Sequence, residues 1–128
     1  MASKILIVDD SPTILLQARQ ALCTAGFEVL EAADGDAAYR QLALHHDIAA
    51  MVCDINMPGL NGLDLLDRLR AEGRLPVLPV LMLTTEGHPS LLQRAKAAGA
   101  RGWMVKPFKA EFLVATVEKL SLRREAQP

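Results

Sequence analysis

The sequence predicts an α/β domain: one parallel sheet with helices on both faces. Three observations predict it. Short apolar runs alternate with stretches of helical periodicity five times along the chain. The runs Ile5-Leu6-Ile7-Val8, Ile48 to Cys53 and Val80-Leu81-Met82-Leu83 are apolar without a break, as central parallel strands covered on both sides are. The residues that end the strands are polar, and open parallel sheets bind their ligands at those ends. With 128 residues there is room for one domain with a proper core, and too little for two.

The elements follow in order. Strand one is Ile5–Val8. In the first helix Ile14, Leu15, Ala18, Leu22 and Ala25 fall at helical spacing. Ser11 is its N-cap, Pro12 its first residue, and Gly26 its stop. Strand two, Phe27–Leu30, alternates in part, as an edge strand does. A second helix spans Gly35–His46, and strand three spans Ile48–Cys53. The third helix, Gly62–Glu72, carries Leu63, Leu65, Leu66 and Leu69 on adjoining rows. Strand four is Val80–Leu83. The fourth helix, Pro89–Ala98, stops at Gly99. Strand five is Gly102–Val105. The last helix runs from Lys109 to about Arg123, with Phe112, Leu113, Thr116, Val117 and Leu120 as its buried face. The domain is assigned to residues 1–124, and 125–128 are expected to be a frayed tail.

Composition removes several function classes. A net charge of -1 gives no basic surface for nucleic acid. No apolar run approaches the roughly 20 residues of a membrane span, and the start lacks the features of a secretory signal. A cytoplasmic protein is expected. Cys23 and Cys53 lie in apolar stretches and are read as free thiols in the core. His45, His46 and His88 are dispersed, without the carboxylate or cysteine pattern of a zinc site.

Chemistry concentrates at the strand ends. Strand one ends in Asp9-Asp10, strand three in Asp54, strand four in Thr84-Thr85, and strand five in Lys106-Pro107. Taken singly, each has an ordinary explanation: a helix-capping Asp pair, turn chemistry, a strand-end hydroxyl, a solvated lysine. Their coincidence at one end of one sheet points to a shared crevice. Three carboxylates together repel one another and call for a counter-charge. A hard divalent cation such as Mg²⁺ suits them and leaves room for a phosphate oxygen. Lys106 adds a compact positive charge, and a threonine hydroxyl can donate to another oxygen. A carboxylate can itself accept a phosphoryl group.

These residues resemble the receiver domains of two-component response regulators, and among them the single-domain chemotaxis regulators of the CheY type. The resemblance rests on Ile5 to Ser11, Asp54-Ile55-Asn56-Met57-Pro58-Gly59 with Gly62, Leu83-Thr84-Thr85-Glu86, Ala97 to Ala100, Gly102-Trp103 and Val105-Lys106-Pro107-Phe108. It covers nearly the whole chain. It implies a flavodoxin-like five-stranded sheet of order 2-1-3-4-5. It implies Asp54 as phosphoryl acceptor, with Thr84 and Lys106 on phosphoryl oxygens. Mg²⁺, for which Mn²⁺ could substitute, would be held by Asp10 and Asp54, by Asp9 largely through water, and by the backbone carbonyl of Asn56. The Lys106-Pro107 bond is expected to be cis, and Met57-Pro58-Gly59 to form the turn after the acceptor.

The resemblance also implies an output. Thr84, with Thr85 beside it, moves toward the phosphoryl group, and an aromatic on strand five changes rotamer. That aromatic is Trp103, where the best-known relatives carry tyrosine; it keeps a bulky ring and lacks the hydroxyl with which tyrosine could hydrogen-bond. Asn56 and Glu86 would tune the lifetime of the phosphoryl form, and Gly87 would give freedom to the loop before helix four. The expected partners are a CheA-like histidine kinase as donor, a target such as the flagellar motor switch on the face of helix four, strand five and helix five, and in some systems a phosphatase. The protein is expected to be a monomer, binding neither nucleic acid nor membrane, and not a multiple-turnover enzyme. With no output domain after residue 124, its signal would pass by protein contact. A receiver with a non-motility target is the alternative. A flavin carrier is disfavoured because Asp9-Asp10 would repel the cofactor's phosphate. A phosphohydrolase is disfavoured because Asp54-Ile55-Asn56 lacks the second acid that such enzymes use.

Overall fold

The computed structural model describes residues 2–57, 59–74, 77–85 and 89–126. Ten elements alternate along the chain: β1 Lys4–Val8, α1 Pro12–Thr24, β2 Glu28–Ala32, α2 Gly35–Leu44, β3 Ile48–Asp54, α3 Gly62–Ala71, β4 Val80–Thr84, α4 Pro89–Ala97, β5 Gly102–Val105 and α5 Ala110–Ala126. All strand pairs are parallel, and the order is β2-β1-β3-β4-β5. The predicted fold class and strand order are therefore the observed ones.

Alternation along the strands divides the apolar residues between two cores. Leu6, Val8, Met51, Cys53, Val80 and Met82 face α2, α3 and α4, where they meet Ala38, Leu42, Leu66, Leu69 and Ala95. Ile5, Ile7, Val52, Leu81 and Leu83 face α1 and α5, where they meet Ala18, Leu22, Leu113, Val117 and Leu120. A bulge lies between β1 and β3. Lys4 pairs with Ile48 but Ile5 pairs with Ala50, so Ala49 is the extra residue. Ala49 and Ala50 consequently face the same core, and Ile48 faces the other.

Helix ends are set by local chemistry. Ser11 caps α1 by accepting from the Ile14 amide at 3.4 Å, with Pro12 as first residue. Asp34 caps α2 at 2.7 Å from the Ala37 amide, and Asn61 caps α3 at 2.9 Å from the Asp64 amide.

Several sequence expectations are corrected. β2 begins at Glu28 and continues to Ala32, because all of β1 finds partners there. α2 stops at Leu44, since His45 turns to an extended conformation to enter β3. α5 continues past Arg123 to Ala126; Gln127 and Pro128 lie outside the described residues. Phe112 is 62% exposed rather than buried, because the inward row of α5 is Leu113, Val117 and Leu120. Ala25 is the exposed C-cap of α1. Cys53 is a buried free thiol as expected, but Cys23 is exposed on α1. Among the described residues no helix is long and apolar enough to cross a membrane.

Candidate metal and phosphoryl site

The strand order reverses at β1. The chain leaves β1 toward β2 on one side, and β3 lies on the other, so the loops after β1 and β3 diverge and open a crevice. Asp9 continues the ladder, its amide donating to the Ala32 carbonyl at 3.1 Å. The Ser11 amide then donates to Asp9 Oδ1 at 2.9 Å and turns the chain into α1. This turn buries Asp9 completely and leaves Asp10 exposed.

Asp54 is the last residue of β3, paired in register with Leu83. Its side chain is nearly buried, and its Oδ1 accepts from the Asn56 amide at 3.3 Å. Thr84, fully buried, ends β4 one residue past that register and pairs with Val105. Its carbonyl accepts from the Lys106 amide at 2.8 Å, which fixes where the lysine leaves the sheet. The Lys106-Pro107 peptide is cis, as the resemblance implied.

Lys106 Nζ lies 2.8 Å from Asp9 Oδ2 and 3.3 Å from Asp54 Oδ1. Oxygens of Asp9, Asp10 and Asp54 lie within 4.8 Å of one another, the one group of three metal-capable side chains among the described residues. Asp9 Oδ2 is buried and, although close to Lys106 as an ion pair, has no hydrogen-bond partner of good geometry. Burial raises the Asp54 carboxyl above its ordinary range, and the neighbouring Asp9 charge raises it further. Lys106 and the Asn56 amide oppose both without cancelling them. Burial pulls the Lys106 ammonium down, but the two carboxylates together outweigh it and hold it above its ordinary value. The thiol of Cys53, beside Asp54, is pushed upward by burial and by both carboxylates. It therefore stays a neutral core group.

Three carboxylates facing one ammonium keep an excess of negative charge, and these hard oxygen donors fit a divalent cation of the Mg²⁺ type. The structure thus brings together Asp9, Asp10, Asp54 and Lys106, with Thr84 at the adjacent strand end. Thr85 and Asn56 are exposed beside them. Trp103 is set apart. It pairs with Met82, two registers before the Thr84–Val105 pair, and is 45% exposed on the edge strand. Glu86, Gly87, His88 and Pro58 lie outside the described residues.

Sequence reasoning gave Lys106 a phosphate contact but missed its direct pairing with Asp9. No spacing signals that pair, because β1 and β5 are separated by two other strands. It also missed Gly35, whose closeness to the β3–α3 loop has no mark in the sequence. A groove of about 680 Å³ lies between α1 and the start of α5, along Gln17, Gln20, Ala21, Phe108 and Val114. Asp9, Asp10 and Asp54 do not line it.

Comparison with known proteins agrees with this fold. The response regulator receiver domain family matches residues 5–118. The chemotaxis protein CheY1 of Helicobacter pylori strain J99 is 39% identical over 116 residues, which is 90% of this chain and 94% of that protein. The chemotaxis protein CheY of Pseudomonas aeruginosa is 42% identical over 118 residues, 91% of this chain and 94% of that one. Among solved structures, that of the Vibrio cholerae chemotaxis protein CheY4 superposes with a TM-score of 0.87 at 38% identity, covering 94% of this chain and 99% of its own.

Proposed function

We propose that this chain, which belongs to the response regulator receiver family, is a phosphorylation-driven switch with Asp54 as its acceptor. One observation carries the reading. Three acidic side chains converge within 4.8 Å of one another while Lys106 reaches two of them, and all four emerge at one end of a parallel sheet.

In the proposed reaction a carboxylate oxygen of Asp54 attacks the phosphorus of a phosphohistidine on a histidine kinase. A P–O bond forms, the P–N bond breaks, and the bonding pair returns to the imidazole nitrogen, which takes a proton from solvent. Asp54 is suited to attack because the Asn56 amide fixes its Oδ1 and the strand end holds it near the surface. Asp9, Asp10, Asp54 and the Asn56 carbonyl would hold Mg²⁺, which when bound supplies positive charge against the transferring oxygens. Lys106 would shift from the carboxylates toward a phosphoryl oxygen, and Thr84 would donate to another. Asn56 and Glu86 would govern access of the water that ends the signal.

The output belongs to Trp103, Val105 and Phe112. These three side chains are 45%, 46% and 62% exposed and sit on β5 and α5. The movement of Thr84 would be felt there through its register partner Val105. We infer a cytoplasmic, monomeric protein whose target docks on this face. The chemotaxis relatives favour the flagellar motor switch over a non-motility target.

The test is to incubate the protein with Mg²⁺ and acetyl phosphate and map the modified residue. Label on Asp54, lost in Asp54→Asn and on chelation, is expected. Label elsewhere, or none, would overturn the assignment.

A further inference from the structure

We propose that Gly35 and Gly62 are positioning residues for the carbonyl side of the cation site, acting by letting two helices touch the backbone of the β3–α3 loop. The inference rests on the metal site proposed above.

Neither glycine is needed for its own conformation. Among the described residues the positive-φ glycines are Gly26, Gly59, Gly73 and Gly99, and neither Gly35 nor Gly62 is one of them. What sets these two apart is proximity. A methyl group at Gly35 would overlap the Leu60 carbonyl oxygen and press on the Leu60 side chain. One at Gly62 would overlap the Asp54 carbonyl oxygen and crowd Met82 Cε. By contrast, a methyl at Gly26, Gly59 or Gly73 would meet nothing. The two close approaches thus fall on the two ends of one loop. That loop runs from the acceptor Asp54 to the α3 cap Asn61.

The hydrogen bonds show what the loop positions. The Gly62 amide donates to the Ile55 carbonyl at 3.1 Å. The Asn56 amide, in the same peptide unit as that carbonyl, donates to Asp54 Oδ1 at 3.3 Å. One peptide plane is therefore held from both edges, by α3 and by the acceptor carboxylate. The next carbonyl along the chain is that of Asn56, only one residue's φ and ψ away from this held plane. Gly35, the first residue of α2, braces the far end of the loop at Leu60. Both contacts are backbone to backbone, so an added methyl moves the loop instead of a flexible side chain.

The experiment measures Mg²⁺ affinity by calorimetry on Gly35→Ala, Gly62→Ala and the control Gly26→Ala, with circular dichroism to establish folding. Gly26 has a positive φ and lies at the opposite end of the sheet. Its alanine variant loses stability without touching the loop. Affinity is expected to fall by about ten-fold in the Gly35 and Gly62 variants, the usual scale for a positioning shell, and to stay at the wild-type value in Gly26→Ala. Phosphorylation of the two variants should recover at saturating Mg²⁺. Unchanged affinity in either folded variant, or an equal loss in Gly26→Ala, would overturn the proposal. If both variants fail to fold, amide hydrogen exchange of the metal-free wild type decides: protected Gly62 and Asn56 amides support a plane held before the cation arrives, and amides that exchange at the open-loop rate sink it. If wild-type protein binds no Mg²⁺, the failure belongs to the metal site itself.

Discussion

Lys106 reaches Asp9 at 2.8 Å and Asp54 at 3.3 Å, yet it does not neutralise the site, because one ammonium faces three carboxyl groups. The residual cost falls on Asp54, whose proton is held more tightly in the folded protein because of burial and the charge of Asp9. For a carboxyl with a raised folded pKa, stability from that group is greatest at low pH. It declines as pH rises through the ordinary carboxylate value toward the folded one. Metal-free Asp54→Asn should therefore unfold at higher urea concentration than wild type at neutral pH. The advantage should vanish in acid, where both side chains are neutral. A variant less stable than wild type at neutral pH in chelator would show that the Lys106–Asp54 pair outweighs the repulsion. At this scale the sequence was informative about identity and poor about distance. Asp9, Asp10, Asp54, Thr84 and Lys106 are visible because each ends a strand. The Asp9–Lys106 contact is not, because it depends on how far a long side chain crosses the sheet end.

Between elements, α2 and α3 are joined by a small polar knot. The Tyr39 hydroxyl lies 2.7 and 2.6 Å from the two Glu72 oxygens and donates to that carboxylate. Arg68 stacks 3.8 Å from the centre of the tyrosine ring and pairs with Glu72 at 3.7 Å. The hydrogen bond to Glu72 holds the Tyr39 phenol above its ordinary value, despite the opposing Arg68 charge. Stability from this bond is fully present below the unfolded phenol's pKa and is lost as pH rises through the folded one. Tyr39→Phe should thus flatten the alkaline decline of stability measured by urea unfolding, while leaving its acid limb alone. An identical alkaline limb in both proteins would remove Tyr39 from the account. Helix ends were legible where residues announce them, as Ser11-Pro12 and Gly26 do. The knot was not legible, because Tyr39 and Glu72 lie on different helices. Phe112 was assigned to the wrong face because periodicity alone does not say which of two adjoining rows, Phe112–Thr116 or Leu113–Val117, turns inward.

Across the whole molecule, the sheet separates two cores that meet only through its strands, and the acidic site sits at the end of the shared β1 and β3. The layered class followed from alternation of strand and helix, but the order of strands did not. Periodicity makes Ile5 and Leu6 face opposite cores without saying which strand lies beside β1, and only resemblance supplied that order. Because β1 and β3 carry side chains into both cores, a ligand bridging their ends acts on the stability of the entire chain. A cation that binds the folded protein and not the unfolded one stabilises it by mass action, by about 2.7 kcal/mol at a hundred times its Kd. For a chain of this size that corresponds to a rise in Tm on the order of 10 °C. Wild-type protein is expected to show this rise when Mg²⁺ replaces chelator at matched ionic strength. Asp54→Asn, with one fewer anionic ligand, should show a much smaller rise at the same concentration. Scanning calorimetry on the two proteins checks it. With ionic strength matched, an equal rise in both would assign the effect to Mg²⁺ bound away from Asp54 and would overturn the site. A rise confined to wild type would place the cation among Asp9, Asp10 and Asp54, where a single lysine leaves the carboxylate charge in excess.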